Sequence, residues 1–288
     1  MFTINIQKNQ VRGFYLCYSV DQINRRQSSA NFNNFDYNFF IYMNPIYENT
    51  FKITAFDVDA FNRLRVNRLF DYFQDAASND AERLGFGYKN FVPKGLFWVL
   101  SWIKIEFASY PKFMDVVKIQ TWGKKQHKLY SMRDFLFLNS KNEVIISGTS
   151  AWLLLDAKSL RPKILTQLYP ELKMLDKKDA LADLPQKINH KHELDLVYSQ
   201  VIRSSAIDLN KHTNNAKYVE LLSDCFDHSF HIEHSVKRLT ISFNAETKFG
   251  DEVMFYKGNI DSSLPSHYVE AKNKITNAVV FQAEVAWK

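Results

Sequence analysis

A chain of 288 residues is about two domain-lengths, enough to bury a sizeable core and too long for one small module. Apolar residues make up 46% and charged residues 24%, and no apolar run approaches the roughly 18 to 20 residues that cross a bilayer, so a soluble globular protein without a membrane span is expected. The 37 Lys and Arg against 31 Asp and Glu give a dispersed net charge of +6, and the only cysteines, Cys17 and Cys225, exclude a disulfide scaffold and point to a reducing cytoplasm.

Residues 1–42 hold seven Asn and six Phe and show no clear period. The apolar stretch Phe14-Tyr15-Leu16-Cys17-Tyr18 is too short for a secretory signal, so the segment reads as an N-terminal extension or as a start called too early, with Met43 the true one. Past Thr50 the pattern settles into a strand, a long helix and four strands. In the helix, Val66, Leu69, Phe70, Phe73 and Ala77 fall at spacings of 3 or 4, the apolar stripe of a helix laid on a sheet.

The chain then repeats itself. The strand Ile103-Lys104-Ile105-Glu106-Phe107, with Lys112-Phe113-Met114-Asp115 beyond it, answers Leu239-Thr240-Ile241-Ser242-Phe243 with Lys248-Phe249-Gly250-Asp251 at an offset of 136. Ala151-Trp152 and Ala286-Trp287, at an offset of 135, are expected to close the last strand of each half. The helices match at a larger offset, Asn67 answering Asn215, so about twelve extra residues are expected in the first half around Ala76 to Leu96. One helix wrapped by antiparallel strands, used twice, is an α+β plan. The charged stretch 176–192, broken by Pro185, reads as a connector, giving units 43–178 and 196–288 with a linker over 179–195.

The densest polar string, Asp208-Leu209-Asn210-Lys211-His212-Thr213-Asn214-Asn215, stands just before the second helix. Thr213, Asn214 and Asn215 suit a capping loop that satisfies the first N–H groups of the helix. The duplication supplies an internal control: aligning Asn67 with Asn215 puts Leu64 where His212 stands, and the offset of 136 puts Tyr110 where Glu246 stands. Two groups fit for proton transfer then occur in the second half alone, which capping does not require and acid–base chemistry does.

From Asp208 to Tyr218 the string reads Asp-x-Asn-x-His-x-Asn-Asn-x-Lys-Tyr, and Glu246 follows 34 residues after His212. This combination resembles the active-site signature of the acyl-acyl carrier protein thioesterases, the plant plastid enzymes and their bacterial relatives, over roughly Tyr47 to Lys288. The resemblance implies a tandem hotdog fold, hydrolysis of fatty acyl-acyl carrier protein, and Asp208, Asn210, His212 and Glu246 as the catalytic set. Under it Glu246 is the general base for a water, Asn210 and His212 hold the carbonyl or the water, Asp208 orients one of them, and N–H groups near Asn215 and Ala216 add to oxyanion binding. One position departs from the plant pattern: the cysteine after the glutamate is Thr247 here, which argues against a cysteine nucleophile and for direct attack by water.

The resemblance also implies an acyl tunnel in the first half. Phe73, Ala77, Leu84, Phe97, Val99 and Trp102 are the candidates, though residues of these types are more often plain core than pocket, with Asn215 at the substrate as well. Lys118, Lys124, Lys125, Lys128, Arg133, Arg161 and Lys163 are expected either to dock an acidic carrier or to form an ordinary solvated face. His228, His231, Glu233 and His234 read as a solvated loop rather than a metal site, and Cys225 as a buried core thiol. No Walker loop, nucleophile elbow, dinucleotide fingerprint or RNA motif is present, so neither a cofactor nor a nucleic acid is expected. The alternatives are a hotdog enzyme acting on coenzyme A esters and a non-catalytic acyl- or RNA-binding module; beside the acyl carrier protein, a second copy of the chain in a homodimer is a partner the sequence allows.

Overall fold

Alternation of branched or aromatic residues with polar ones, as in Ile103-Lys104-Ile105-Glu106-Phe107, builds long strands with one buried face. A computed structural model describes residues 45–170, 175, 178–188, 193–260, 263 and 265–288; the expected extension over 1–42 lies outside the described residues. The first half runs β1 (Tyr47–Lys52), α1 (Val66–Arg83), α2 (Tyr88–Phe91), β2 (Leu96–Phe107), β3 (Val116–His127), β4 (Tyr130–Leu138) and β5 (Val144–Asp156), then the short β6 (Pro162–Lys163) and α3 (Leu165–Leu168). The second half runs β7 (Asp195–Val201), α4 (Asn215–Ser223), α5 (His228–Glu233), β8 (Val236–Phe243), β9 (Glu252–Asn259), β10 (Ser266–Asn273) and β11 (Val279–Trp287).

The described strands form one antiparallel sheet in the order β1-β3-β4-β5-β2-β8-β11-β10-β9-β7, with β6 paired to β5. Each half has the same internal order, and the second runs it in reverse. The halves join where β2 pairs with β8: Ile103 opposes Ile241, Ile105 opposes Leu239, and Lys104 opposes Thr240. The 136-residue offset makes Thr240 the counterpart of Lys104, so a local two-fold axis passes between these residues. Helices α1 and α4 pack on each other and share one core with strands of both halves, and Asn44–Lys288 forms a single unit.

Three sequence expectations change. Ala151 and Trp152 do not close a strand, because β5 continues to Asp156, paired with the start of β2 at Leu96. Asn67 is not the counterpart of Asn215: Arg65 is the N-cap of α1 and Asn214 that of α4, so Asn67 is the second helical residue and Asn215 the first. The bridges Val58–Leu64 and Ile207–Thr213 confirm that register, which sets Arg63, and not Leu64, in the place of His212. The histidine-rich stretch forms the short helix α5 rather than a loop, capped by the Asp227 carboxylate, which accepts the Phe230 N–H at 2.8 Å.

Residues 178–188 cross the sheet face opposite the helices. Phe135 points inward and stacks on Phe73 of α1 (ring centroids 4.3 Å), so its neighbour Asp134 points outward. There Asp134 Oδ2 accepts the Ala180 N–H (2.6 Å) and Lys124 Nζ (3.2 Å), Lys124 also reaches Asp179 and the Leu181 carbonyl, and Lys104 pairs with Asp183 at 2.7 Å. This use of Lys124 removes it from the expected docking set. Arg133 leaves the set too, since it turns inward to the fully buried Asp80 at 2.7 Å.

Candidate active site

The turn before α4 is built by its own backbone and one carboxylate. Asp208 Oδ1 accepts the N–H groups of Asn210 (2.8 Å) and His212 (3.4 Å), while the Asp208 N–H donates to the His212 carbonyl at 2.9 Å. Lys211 takes a positive φ of 66° to close the loop. Asp208, expected to orient one of His212 and Asn210, therefore holds both, through main-chain bonds. Asn214 caps the helix by accepting the Ala216 N–H at 2.8 Å, so that N–H is occupied and is not an oxyanion donor as expected.

His212 and Glu246 meet across the loops. His212 Nε2 lies 2.9 Å from Glu246 Oε2, with side chains 30% and 51% exposed, so the pair is reachable from solvent. Beneath it, Thr213 donates its N–H to the Thr247 carbonyl (2.9 Å), and the hydroxyls of Thr213, Thr247 and Tyr218 lie within 2.7–2.8 Å of one another in sequence. Sequence reasoning treated Thr213 as a cap and Thr247 as a departure from a pattern, and missed that both hydroxyls belong to the site's floor.

The pair opens on a cavity of about 840 Å³ that draws walls from both halves. Asp208, Asn210, His212, Asn215 and Glu246 line one end. Phe97, Val99 and Trp152 and the α1 residues Gln74 and Ser78 line the rest, and Asn215 Nδ2 reaches Gln74 Oε1 at 3.4 Å. A smaller cavity of about 130 Å³, lined by Ala77 and Leu84, shares Ser78, Ala81, Trp98 and Trp152 with it.

Phe73 and Trp102 lie elsewhere. Phe73 is core: its ring stacks on Phe135 and sits against Gly148, where a Cβ would come within 2.9 Å of it. Trp102 packs with Met132 and Ala151 in a separate cluster. The bulge after Leu100 explains the error, because it reverses which residues of β2 face the helices.

Among the described residues no three His, Cys, Asp or Glu side chains converge as metal ligands. His231 Nε2 contacts the Ser223 carbonyl and the His234 ring stacks on Phe230, each engaged separately. Cys225 is buried, and burial pushes its thiol up to about 12, which keeps it protonated and inert.

Residues 44–171 match the acyl-ACP thioesterase N-terminal domain and residues 187–288 the acyl-ACP thioesterase C-terminal domain. The chloroplastic oleoyl-acyl carrier protein thioesterase of Coriandrum sativum is 23% identical over 231 residues, 74% of this chain and 60% of that protein, so the chain spans less than two thirds of this relative's length. The fold is that of an acyl-ACP thioesterase from Bacteroides thetaiotaomicron (TM-score 0.76, 24% identity, 85% of this chain and 98% of that one). It is also that of the 12:0-ACP thioesterase from Umbellularia californica (TM-score 0.72, 21% identity, 85% and 98% covered). With both domain families matched in order along one duplicated sheet, the chain belongs to the acyl-ACP thioesterase family.

Proposed function

We propose that the chain hydrolyses the thioester of a fatty acyl chain borne by acyl carrier protein, releasing the free fatty acid and the carrier thiol. The observation that carries this reading is the His212–Glu246 contact of 2.9 Å at one end of a cavity whose remaining walls come largely from the first half. His212 Nε2–H donates to Glu246 Oε2 and leaves the other carboxylate oxygen for a water. As that water's oxygen bonds the thioester carbon, its proton passes to Glu246 and the carbonyl oxygen takes the negative charge. The Asn210 amide, at the same end of the cavity, supplies an N–H to that oxyanion. Collapse breaks the C–S bond, and the leaving thiolate takes the proton from Glu246.

Asp208, Asn210, His212 and Glu246 are thus assigned as the site, with Asp208 acting through the backbone. Ala77, Leu84, Phe97 and Val99 are assigned to the acyl chain. A reducing, cytoplasmic setting fits a chain with two cysteines, one of them a buried thiol; no helix among the described residues is long and apolar enough to cross a membrane.

The test is release of fatty acid from a ladder of acyl-carrier substrates and from the matching coenzyme A esters. Turnover that favours the carrier form supports the reading. Preference for the coenzyme A ester replaces the carrier as substrate, and background rates on both overturn thioester hydrolysis altogether.

A further inference from the structure

Thr213, Thr247 and Tyr218 meet beneath the His212–Glu246 pair and are buried, at 5%, 0% and 3% exposure. Buried hydroxyls need partners, and here every hydrogen has one. The Thr247 N–H donates to Tyr218 Oη at 3.1 Å, and the Tyr218 hydroxyl has Thr247 Oγ1 as its acceptor at 2.7 Å. The Thr247 hydroxyl has Thr213 Oγ1 at 2.8 Å, and the Thr213 hydroxyl donates to the Thr247 carbonyl at 3.2 Å. The four donors close a ring that begins and ends on the peptide groups of Thr247.

The duplication shows that the fold does not need this ring. At the matching places the first half has Leu64 for Thr213, Leu69 for Tyr218 and Pro111 for Thr247, all buried. The backbone contact survives unchanged, the Leu64 N–H donating to the Pro111 carbonyl at 2.9 Å as the Thr213 N–H does to the Thr247 carbonyl. Pro111 has no N–H to satisfy, and hydrocarbon fills the rest. Well-packed apolar groups hold such a contact as firmly as a buried polar network does, so stability alone does not account for three hydroxyls. Hydrogen bonds differ from hydrocarbon contact in being directional, and these fix the peptide planes on either side of Thr247, the first of which is the plane that follows Glu246.

We propose that Thr213, Thr247 and Tyr218 are positioning residues that hold Glu246 at hydrogen-bond distance from His212. This rests on the thioesterase reading above. The hydroxyls are engaged with one another and with the peptide groups of Thr247, and they act through Glu246, which Thr247 follows.

The experiment compares steady-state kinetics of the full chain with those of Thr247→Val, Tyr218→Phe and the combined Thr213→Val/Tyr218→Phe/Thr247→Val variant, with Thr247→Ser as the conservative control and Glu246→Gln as the reference. Since a misplacement of about 1 Å at a reacting group costs on the order of 100-fold, kcat is expected to fall about 10- to 100-fold with KM within about twofold, and Thr247→Ser to restore most of kcat. The combined variant removes the hydroxyls together and copies the apolar character of the first half, so it is expected to fold; should it not, the two single variants and the serine control give the same readout. Wild-type kcat in Thr247→Val and Tyr218→Phe, with only a lowered melting temperature, overturns the proposal. Full turnover by Glu246→Gln is a separate outcome that removes the thioesterase mechanism itself, and the positioning role with it.

Discussion

The two halves carry the same pre-helix turn and put it to different uses. In both, an aspartate opens the turn and accepts N–H groups two and four residues on, and its own N–H donates to the carbonyl of the residue four on: Asp59 with Arg63 at 2.8 Å, Asp208 with His212 at 2.9 Å. In the second half that residue is His212, facing Glu246 and a cavity. In the first it is Arg63, whose guanidinium pairs with Asp59 and donates to the carbonyls of His231 (2.8 Å) and His234 (3.0 Å) at the end of α5. Tyr110, the counterpart of Glu246, gives its hydroxyl to the Val236 carbonyl at 2.7 Å. One turn presents His212 to Glu246 and the cavity, and its copy clamps the halves together.

What faces the turn decides which. The second-half turn looks onto α1, 18 residues long, and the cavity beside it. The first-half turn looks onto α4 and α5, of nine and six residues, where the rings of Phe226, Phe230, His267 and Trp287 pack on one another at 4.7 to 6.3 Å. Trp287 is the counterpart of the cavity-lining Trp152. The proposed function rests on two side chains and on the space left open before them.

The largest effect expected from this contrast is at the paired positions. Glu246→Gln or His212→Ala should lower kcat by about 100- to 10,000-fold, the range for loss of a general base, while Tyr110→Phe leaves turnover within about twofold. Equal losses at Glu246 and Tyr110 on a folded protein would erase the distinction between site and clamp. A smaller effect, on stability, is expected at Arg63. Arg63→Met strips charge-assisted bonds from two carbonyls and Asp59, for a loss of about 2–4 kcal/mol in urea unfolding with turnover retained under native conditions. A wild-type urea midpoint would mean that the guanidinium clamps nothing.

Much of this was legible in the sequence because the repeat is written in apolar periodicity. The offset of 136 matched residues 103–107 on β2 to residues 239–243 on β8, and the string from Asp208 to Tyr218 located the turn. The failures share a physical cause: residue type shows what a side chain can do and not where the backbone aims it. Trp102 looked like a tunnel residue until the bulge after Leu100 turned it to the outer face, and Arg133 looked like a docking cation until its pairing with the buried Asp80 showed it turned inward. Matching Asn67 to Asn215 slipped the helices by one residue, since asparagine serves as readily at the second helical position as at the first. Thr247 was noticed for what it is not, a cysteine, while its partners Thr213 and Tyr218, 34 and 29 residues away in sequence, gave no local sign of a shared ring.

The subtlest contrast concerns what fills the two equivalent spaces, and pH reads it. Arg133 opposes Ser150 in the first half, and at the same place one repeat on His267 opposes Val285. Arg133 is pinned to Asp80, whereas the His267 ring sits among Phe226, Phe230 and Trp287. The Trp287 indole is a donor only, and it donates to His267 Nδ1 at 3.1 Å, so that nitrogen must be unprotonated. Burial, aided by the nearby positive charge of Lys257 and by His234, holds the imidazole down at about 4 against an ordinary 6.5. Between those values the unfolded chain binds a proton that the folded chain refuses. The stability this histidine contributes is therefore whole above pH 6.5, declines as pH falls toward 4, and is gone below it, a loss of about 1–3 kcal/mol once partial exposure is allowed for. His267→Asn keeps an acceptor for Trp287 and has nothing to titrate, so its urea midpoint should change less than that of the wild type between pH 7 and pH 4.5. Parallel pH dependence in the two proteins would mean that the aromatic nest tolerates the charged ring, and that it fills its half of the molecule less tightly than the contacts of Trp287 indicate.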